Sequence, residues 1–428
     1  MKIAVVGSGI SGLVAAYRLS AAHDVAVFEA NEYAGGHTNT VEVRLAGERH
    51  SIDTGFIVFN DRTYPHFVGL LDELRVKSRP TSMSFSVRDD RSGLEYNGRS
   101  LNTLFAQRRN LLRPAFYRML ADIVRFNRQA VRLAARCDDD VTVADFLHVH
   151  GYSSAFREHY LLPMGSAIWS CPRGTFAAFP IRFITEFYRN HGLLNLWRRP
   201  TWRVVEGGSR RYVQAILARF RGRLLLNAPV RRVRRLPEAV ELHWGGGSRE
   251  SFDHVVFACH SDQALKILGE DATRLERELL SAFPYERNTA LLHTDPSLLP
   301  RQQRAWASWN YRVTGDVSAA TVTYNMNLLQ GIRSPHVFCV TLNGESQVDP
   351  RRVLRRFVYE HPVFTTRRAA AQSRHAELLG AHRSSFCGAY WGNGFHEDGV
   401  VSALAVVAAL RRQANSTAID RRLTGRVA

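Results

Sequence analysis

The chain has 428 residues, 45% of them hydrophobic, and a formal net charge of +18 that comes almost wholly from arginine, since only Lys2, Lys77 and Lys266 are lysines. This length and apolar content exclude a disordered chain and exceed one ordinary hydrophobic core, so we expect two domains. The charge predicts attraction to anionic surfaces; because no nucleic-acid-binding module is visible, we expect lipid headgroups or an acidic substrate and no nucleic acid.

A β-branched strand opens the chain and leads through Gly7-x-Gly9-x-x-Gly12 into an apolar-periodic helix. A second strand at 25–28 ends on Glu29. This is the dinucleotide-binding fingerprint in its full context: Gly7 makes the turn, Gly9 lets the backbone approach a pyrophosphate, and Gly12 lets helix and strand pack. We expect the pyrophosphate on the positive end of the helix and the ribose on the Glu29 carboxylate.

Two glycine-containing runs follow, Gly35-Gly36-His37-Thr38 and Asp53-Thr54-Gly55-Phe56. Each reads either as a simple turn or as a close approach of backbone to a cofactor, and their position after the fingerprint favours the cofactor.

In residues 101–149 apolar side chains recur every three or four positions, which predicts helices. The segment 187–202 then mixes aromatic side chains with arginines. This composition suits either a surface between water and lipid or a half-buried helix beside the active site.

The chain returns to the nucleotide domain near residue 200, with strands predicted at 224–230, 240–244 and 252–259 and a hairpin at Gly245-Gly246-Gly247. The run 386–399 predicts a strand, a glycine-rich loop and a helix N-terminus, which suit the negative groups of a cofactor. Helix 400–410 is expected to be buried. We therefore expect one domain from residues 1–90, 200–265 and 380–428, and a second from 91–199 and 266–379.

The five cysteines are odd in number and include no CxxC. This pattern suits a reducing cytosol and argues against a zinc site or a disulfide framework, so no metal is expected. No apolar run approaches the roughly 20 residues that span a bilayer. We expect a cytoplasmic protein, with contact to the inner membrane face as the alternative.

The N-terminal fingerprint, the glycine pair after Glu29 and the glycine-rich strand–loop–helix at 386–399 together resemble the flavin amine-oxidase superfamily. That superfamily includes monoamine oxidases, protoporphyrinogen oxidase and phytoene desaturases. The resemblance implies FAD as cofactor and an α/β fold. In that fold a discontinuous, Rossmann-like FAD domain of the glutathione-reductase-2 and amine-oxidase type holds an inserted α+β substrate domain.

A narrower resemblance is to the FAD-binding N-terminal half of plant cyclopropane-fatty-acid synthases and its bacterial stand-alone relatives. Five runs carry it in order: Gly35-Gly36-His37, Met83-Ser84-Phe85-Ser86-Val87, Ser166-Ala167-Ile168-Trp169-Ser170-Cys171-Pro172, Leu292-His293-Thr294-Asp295 and Gly394-Phe395-His396-Glu397-Asp398-Gly399. It implies a lipid or fatty-acyl substrate and a lipid methyltransferase as partner, although a family does not fix a reaction.

Carried over position by position, the superfamily resemblance implies FAD contacts along the pyrophosphate, ribose, adenine and flavin. The residues are Gly7, Ser8, Gly9, Ile10, Ser11, Gly12, Glu29, Gly36, His37, Thr38, Gly55, Phe56, Val230, Gly388, Ala389, His396, Asp398, Gly399 and Val400.

Two departures weaken transfer of the amine-oxidase mechanism. Superfamily members commonly carry arginine where this chain has His37, and an acid where it has Ala389. They usually also carry a lysine that reaches the flavin through water, for which only Lys266 is a candidate here. Amine oxidation is therefore disfavoured.

The sequence thus predicts an FAD-dependent oxidoreductase that oxidises or desaturates modified fatty-acyl chains. The candidate catalytic residues are His293, His396 and Tyr390. We expect the two histidines to transfer protons and Tyr390 to form an aromatic wall facing the flavin. Two alternatives stay open: an amine or protoporphyrinogen-type oxidase, and a non-catalytic FAD-binding partner of a lipid methyltransferase.

Overall fold

The computed structural model describes residues 1–45, 47–195, 199–314 and 321–424. Within them the helices are α1 Ile10–Leu19, α2 Pro65–Leu74, α3 Leu101–Leu104, α4 Pro114–Ala134, α5 Val143–Val149, α6 Ser154–Phe156, α7 Leu162–Trp169, α8 Arg173–Ala177, α9 Ile181–Asn190, α10 Arg210–Leu217, α11 Ser261–Leu268, α12 Arg274–Leu280, α13 Met326–Leu329, α14 Arg368–Ser373 and α15 His396–Thr424.

The strands are β1 Lys2–Val6, β2 Asp24–Phe28, β3 Thr40–Leu45, β4 Glu48–Asp53, β5 Phe59–Asn60, β6 Ser78–Pro80, β7 Phe85–Asp89, β8 Glu95–Asn97, β9 Trp202–Val205, β10 Arg223–Leu225, β11 Val230–Arg235, β12 Val240–Trp244, β13 Ser248–Phe252, β14 His254–Phe257, β15 Tyr285–His293, β16 Trp309–Val313, β17 Thr321–Asn325, β18 Cys339–Leu342, β19 Val353–Pro362 and β20 Ser384–Phe386.

A five-stranded parallel sheet in the order β10-β2-β1-β14-β20 forms the central layer of the first domain. Both of its faces are covered, which explains why its central strands β1, β2 and β14 are largely apolar along their whole length. Ile3 and Val5 pack toward α1, α2 and α15, whereas Ala4 and Val6 pack toward α11, α12 and the antiparallel sheet β11-β12-β13. This is the α/β layering that the sequence predicts.

A seven-stranded mixed sheet in the order β19-β15-β18-β17-β16-β7-β8 forms the floor of the second domain. Helices α4 to α9 pack beside it around an aromatic cluster that includes Phe126, Phe176 and Phe187. The helices expected over 101–149 are present, and Thr142 caps α5 with its side chain.

The structure moves two predicted domain boundaries. Strand β7 pairs in parallel with β16, so residues 85–89 belong to the substrate domain and not to the FAD domain that was expected to reach residue 90. In the other direction, Leu279 and Leu280 of α12 pack in the same cluster as Phe257 of β14. The second substrate-domain segment therefore begins at β15, and not at residue 266.

The last helix, α15, begins at His396 and so extends on both sides of the expected range 400–410. Val400, Ala403 and Val407 on one of its faces are buried against α1. Within the described residues, none of the helices combines the length and apolarity needed to cross a membrane.

Candidate active site

The N-terminus of α1 offers backbone amides to an anion. Gly9 precedes the helix in an extended conformation, and no side chain caps the helix start. A Cβ on Gly12 would lie 2.0 Å from the Gly7 carbonyl oxygen, so strand and helix pack as closely as the fingerprint predicts. A Cβ on Gly9 would meet nothing within 4 Å. This uncapped helix end beside open space fits a pyrophosphate.

Glu29 lies at the end of β2 with only 5% of its surface exposed. Its carboxylate accepts hydrogen bonds from the Ser8 amide at 2.9 Å, the Ser8 hydroxyl at 2.5 Å and the Asn31 amide at 2.9 Å. The Ala228 amide donates to the Glu29 carbonyl at 2.8 Å, which brings the start of β11, and hence Val230, next to this carboxylate. The predicted ribose and adenine contacts therefore share one edge of the sheet.

The N-terminus of α15 meets that of α1. A Cβ on Gly399 would lie 2.7 Å from Ile10 Cγ2 and 2.9 Å from Ser11 Oγ, so only glycine permits this approach. Asp398 accepts a hydrogen bond from the Phe395 amide at 2.9 Å, and burial raises the pKa of its carboxyl to about 6. Two positive helix ends thus point into one volume.

The loop at residues 35–38 closes this volume from the side. Gly36 has φ +57°, and a Cβ there would lie 3.2 Å from the Gly9 Cα. A Cβ on Gly55 would lie 2.2 Å from the His37 carbonyl oxygen, to which the Phe56 amide donates at 2.8 Å. The two glycine-containing runs are therefore locked together beside Gly9, as a cofactor role predicts.

His396 is held by three neighbours from separate parts of the chain. Its ring stacks on Phe56, and its Nε2 lies 3.0 Å from both the Thr38 hydroxyl and the Tyr212 hydroxyl. Burial lowers the pKa of His396 to about 3, so the ring is neutral at physiological pH. Tyr212, on α10, is fully buried and was not predicted, because nothing in a short amphipathic helix marks one tyrosine as a site residue.

The His37 side chain turns away from the loop toward the substrate domain. Its ring centroid lies 5.0 Å from that of Tyr359, 5.3 Å from His361 and 6.1 Å from His260. Its Nε2 is buried and has no hydrogen-bond partner. Desolvation, followed by the neighbouring imidazoles, holds the pKa of His37 well below its usual value.

Tyr359 and His361, two of the neighbours of His37, were not predicted from the sequence, because they lie on β19, more than 300 residues further along the chain. The Tyr359 hydroxyl lies 2.8 Å from the Thr54 hydroxyl and accepts from the Asn39 amide nitrogen at 3.1 Å. His361 Nδ1 lies 3.1 Å from the Asn288 side-chain nitrogen. These bonds fix β19 and β15 against the cofactor loop.

Asp53 is a further buried group that the sequence did not single out. It accepts from the Thr40 hydroxyl at 2.5 Å, the Ser209 amide at 2.9 Å and the Gln330 side-chain nitrogen at 3.0 Å. Burial raises the pKa of the Asp53 carboxyl to about 6 against these hydrogen bonds. Asp53 thereby joins β4, α10 and the substrate domain.

Two of the catalytic candidates are not brought to this site. His293 lies at the opposite end of β15 from Tyr285, eight residues or about 26 Å away, with its nitrogens bonded to the Thr341 hydroxyl and the Asp295 amide. Tyr390 packs with Phe283 in the core beneath β14. The His293 side chain is held by hydrogen bonds and the Tyr390 side chain by core packing. Of the three candidates, only His396 lies among the cofactor loops.

The lysines are also remote from the site. Lys266 is exposed on α11, Lys77 is exposed, and Lys2 pairs with Glu250 at the surface. None of the three lysines is therefore a buried residue.

The segment 187–202 was expected to be either a surface between water and lipid or a half-buried helix, and its first residues match the half-buried helix. Phe187 and Tyr188 are 4% and 1% exposed and belong to the aromatic cluster, so they are not available to a membrane. Arg199 is exposed, whereas Trp197 and Arg198 lie outside the described residues. Membrane contact through that remainder stays a prediction.

The wall beside the α15 N-terminus is aromatic. Phe395 stacks on Phe187 with ring centroids 5.2 Å apart, and Phe187 stacks on His191 at 3.8 Å. A cavity of about 350 Å³ opens here and reaches the surface. Its lining residues are Arg62, Thr63, Tyr64, Asn190, His191, Asn393, Phe395, Glu397 and Asp398.

Comparison with known proteins agrees with this geometry. The model of the family described as flavin containing amine oxidoreductase matches residues 10–294. A putative flavin-containing monoamine oxidase of Mycobacterium tuberculosis is 28% identical over 266 residues, 59% of this chain and 55% of that protein. The matched chain thus spans about half the length of this relative.

Two further similarities are shorter or more distant. A 1-hydroxycarotenoid 3,4-desaturase of a Flavobacterium is 43% identical over 74 residues, 17% of this chain and 14% of that protein. The crystal structure of cyclohexylamine oxidase from Brevibacterium oxydans superposes with a TM-score of 0.70 at 17% identity, covering 97% of this chain and 99% of that one. The structural likeness shows the fold.

Proposed function

The chain belongs to the flavin-containing amine oxidoreductase family, and we propose that it is an FAD-dependent oxidoreductase that oxidises or desaturates a fatty-acyl chain of a lipid. When bound, FAD would accept a hydride from the substrate. The protein supplies binding, orientation and exclusion of water. The residues that fit FAD are those of the two helix ends, Glu29 and the loops around Gly36 and Gly55.

The observation that carries the acyl substrate is the aromatic wall at Phe395. From this residue the aromatic contacts run through Phe187 and Phe183 to Phe364, at centroid distances of 5.2, 6.4 and 5.3 Å. A hydrocarbon chain gains about 25 cal/mol per Å² of surface that such a wall removes from water. Phe183, Phe187 and Phe364 are already buried against one another, and the Arg368 guanidinium lies 3.8 Å from the Phe183 ring centroid. The half-buried Phe395 is therefore the ring of this wall that can contact an acyl chain.

The proton balance of a desaturation also suits this site. Removing one hydride and one proton from adjacent carbons forms a double bond, and the proton needs a neutral acceptor. His37 Nε2 is neutral, buried and without a hydrogen-bond partner. His37, with Tyr359 and His361 around it, is the neutral imidazole that we propose for this proton. Because desolvation holds the pKa of His37 well below its usual value, the ring would pass the proton on and not retain it.

Two similarities support the acyl assignment. The five sequence runs that resemble the FAD-binding half of plant cyclopropane-fatty-acid synthases span most of the chain. The 1-hydroxycarotenoid 3,4-desaturase relative has a name that describes desaturation of a long hydrocarbon. A lipid methyltransferase as partner follows from the first resemblance and is part of the proposal.

Amine oxidation is the second candidate. The mycobacterial relative is called a monoamine oxidase, and the carboxyl groups of Glu397 and Asp398 line the 350 Å³ cavity. However, the Glu397 carboxylate accepts hydrogen bonds from the His66 and Phe67 amides at 3.0 and 2.9 Å, and so caps α2. The Asp398 carboxylate is likewise engaged, because it accepts a hydrogen bond from the Phe395 amide at 2.9 Å.

Anaerobic mixing of the FAD-loaded protein with candidate substrates distinguishes these functions. Phospholipid carrying unsaturated or methyl-branched chains should bleach the oxidised-flavin absorbance, whereas cyclohexylamine and putrescine should not. Bleaching by the amines alone would overturn the acyl assignment. Bound flavin that neither class reduces would instead indicate a non-catalytic partner of the methyltransferase.

Two variants sharpen this test. Phe395→Asn places an amide in the aromatic wall and should slow reduction by the lipid about tenfold or more, because roughly 1.5 kcal/mol or more of apolar contact is lost. Lys266→Met, on an exposed face of α11, is the matched control and should change nothing. Equal flavin content in both variants would show that the difference arises at the substrate.

A further inference from the structure

Exposed apolar side chains concentrate at one corner of the substrate domain, at residues 99–118. Leu101 is 76% exposed, Leu112 is 86%, Leu111 is 47% and Tyr117 is 46%. They lie on α3, on the turn Arg108–Leu112 and on the first turn of α4. Large apolar side chains grouped in this way on a surface mark an interaction site. We call residues 99–118 the Leu112 corner.

The corner is also uniformly basic. Arg99, Arg108, Arg109, Arg113 and Arg118 lie in it, and the sequence holds no acidic residue between Glu95 and Asp122. Arg118 lies 3.7 Å from the Asp122 carboxylate, which leaves the other four. Arg108 donates to the Phe105 carbonyl at 2.9 Å and Arg113 to the Ser92 carbonyl at 3.3 Å. Among the described residues no carboxylate forms an ion pair with these four arginines, so their charge is available to a partner.

The base of the corner is rigid. Leu104, Phe105 and Phe116 pack into the hydrophobic cluster of the seven-stranded sheet. Asn110 is fully buried and donates to the Glu95 carbonyl at 3.1 Å, which holds the turn below Leu111 and Leu112 in place. The exposed leucines are therefore presented by an anchored turn.

We propose that the Leu112 corner docks the protein on an anionic membrane surface, with Leu111 and Leu112 in the interface and the arginines against the headgroups. Leucines beside arginines match the chemistry of such a surface, in which negatively charged headgroups lie above a hydrocarbon layer. A lipid bilayer is favoured over a protein because Leu101 and Leu112 are 76% and 86% exposed and stand among arginines without acidic neighbours.

Only the purpose of the docking, which is access to acyl chains, rests on the proposed function. The cluster that anchors the corner also contains Ile57, Ala290 and Tyr359, and Tyr359 lies against His37. The corner and the cofactor loop are thus attached to one packed body. The membrane test itself needs no turnover, so its outcome is independent of whether lipid reduces the flavin.

Vesicle co-sedimentation of the FAD-loaded protein tests the proposal. The wild type should sediment with vesicles of 70% phosphatidylcholine and 30% phosphatidylglycerol, less so at high salt, and stay in solution with pure phosphatidylcholine. Leu111→Gln with Leu112→Gln should lower the partition coefficient at least about tenfold. Changing Arg99, Arg108, Arg109 and Arg113 to Gln should lower it by about fivefold for each arginine.

A matched control uses four exposed arginines of the antiparallel sheet β11-β12-β13: Arg231, Arg232, Arg234 and Arg249, each changed to Gln. This variant has the same net charge as the corner variant and should bind vesicles nearly as the wild type does. An equal loss in the control would assign binding to overall charge and overturn the proposal. Unchanged binding of the leucine variant, or a wild type that dimerises through the corner in place of binding vesicles, would overturn it too.

Discussion

The ring of His396 stacks on the ring of Phe56 with centroids 3.4 Å apart and planes 10° from parallel. This contact joins the first residue of α15 to the loop after β4, and the His396 Nε2 contacts with Thr38 and Tyr212 add two further segments. The first residue of α15 is therefore positioned by side chains from three other places in the chain. His396 acts here as a positioning residue.

Tyr212→Phe tests this role. The change removes one hydroxyl next to His396 Nε2 and leaves the ring that packs in the core. We expect FAD to bind about fivefold to tenfold more weakly, since one buried hydrogen bond contributes about 1 kcal/mol. Flavin fluorescence during titration of the apoprotein measures this. Tyr17→Phe, which loses a surface bond to Glu73, is the control, and an equal weakening there would contradict the assignment.

Gly9→Asp should abolish FAD binding while the chain still folds. The Cβ has room, because nothing lies within 4 Å of its position, but a carboxylate would stand where the uncapped amides of α1 receive a pyrophosphate. Gly9→Ala is the matched control and should retain most of the flavin. The measurement is flavin released per chain after purification; normal flavin content in the aspartate variant would refute the fingerprint assignment.

The local motifs could be predicted, and the contacts between distant segments could not. Gly7 to Gly12 and Glu29 belong to one βαβ unit, whose geometry follows from spacing alone. By contrast, Asp53 meets Gln330 across 277 residues, and His37 meets Tyr359 from another domain. No periodicity encodes which loops a sheet of seven strands brings together.

The segment around Phe187 shows a second limit. An amphipathic helix with aromatic residues on one face predicts that something apolar covers that face, but not whether it is lipid or protein. In the structure Phe395 and Phe364 belong to the cluster that covers it. Conversely, Leu111 belongs to the helical apolar pattern and yet is 47% exposed, in a turn of 3₁₀ geometry that precedes α4.

Acid should destabilise the apoprotein through its buried histidines. Desolvation lowers the pKa of His191, His254, His293 and His361 to about 4, and that of His396 to about 3. Each folded pKa lies below the unfolded value of about 6.5, so protonation favours the unfolded chain. The stabilisation is complete above pH 6.5 and is lost as the pH falls toward 4.

Two carboxyls act in the opposite direction. Burial raises the pKa of Asp53 and Asp398 to about 6, so their stabilisation is lost as the pH rises through 6. Because the histidines outnumber them, the free energy of unfolding in urea should be greater at pH 7 than at pH 5. His254→Gln should reduce that difference by about 2 kcal/mol. The exposed His148→Gln should leave it unchanged, and equal stability at both pH values would contradict the argument.

Asp53→Asn should destabilise the fold by about 2–4 kcal/mol. The carboxylate is fully buried and receives donors from Thr40, Ser209 and Gln330, so an amide nitrogen in place of one oxygen would face a donor. Urea unfolding of the FAD-loaded protein measures this, with the exposed Asp61→Asn as control. A change below about 0.5 kcal/mol would mean that Asp53 does not link the two domains.

NAD(P)H should not act as a fast reductant of the flavin. One Gly-x-Gly-x-x-Gly is present in the sequence, and it is used by the FAD site at α1. The remaining glycine run, Gly245 to Gly247, joins the antiparallel strands β12 and β13, so it does not lie at the strand–helix turn that a second dinucleotide requires. Electrons should instead enter from the organic substrate and leave to oxygen or a carrier.

In anaerobic stopped-flow mixing, NADPH should leave the oxidised-flavin spectrum unchanged over the time in which a true substrate bleaches it. Rapid bleaching that saturates with NADPH concentration would show a nicotinamide site and assign the protein to a monooxygenase-like reaction.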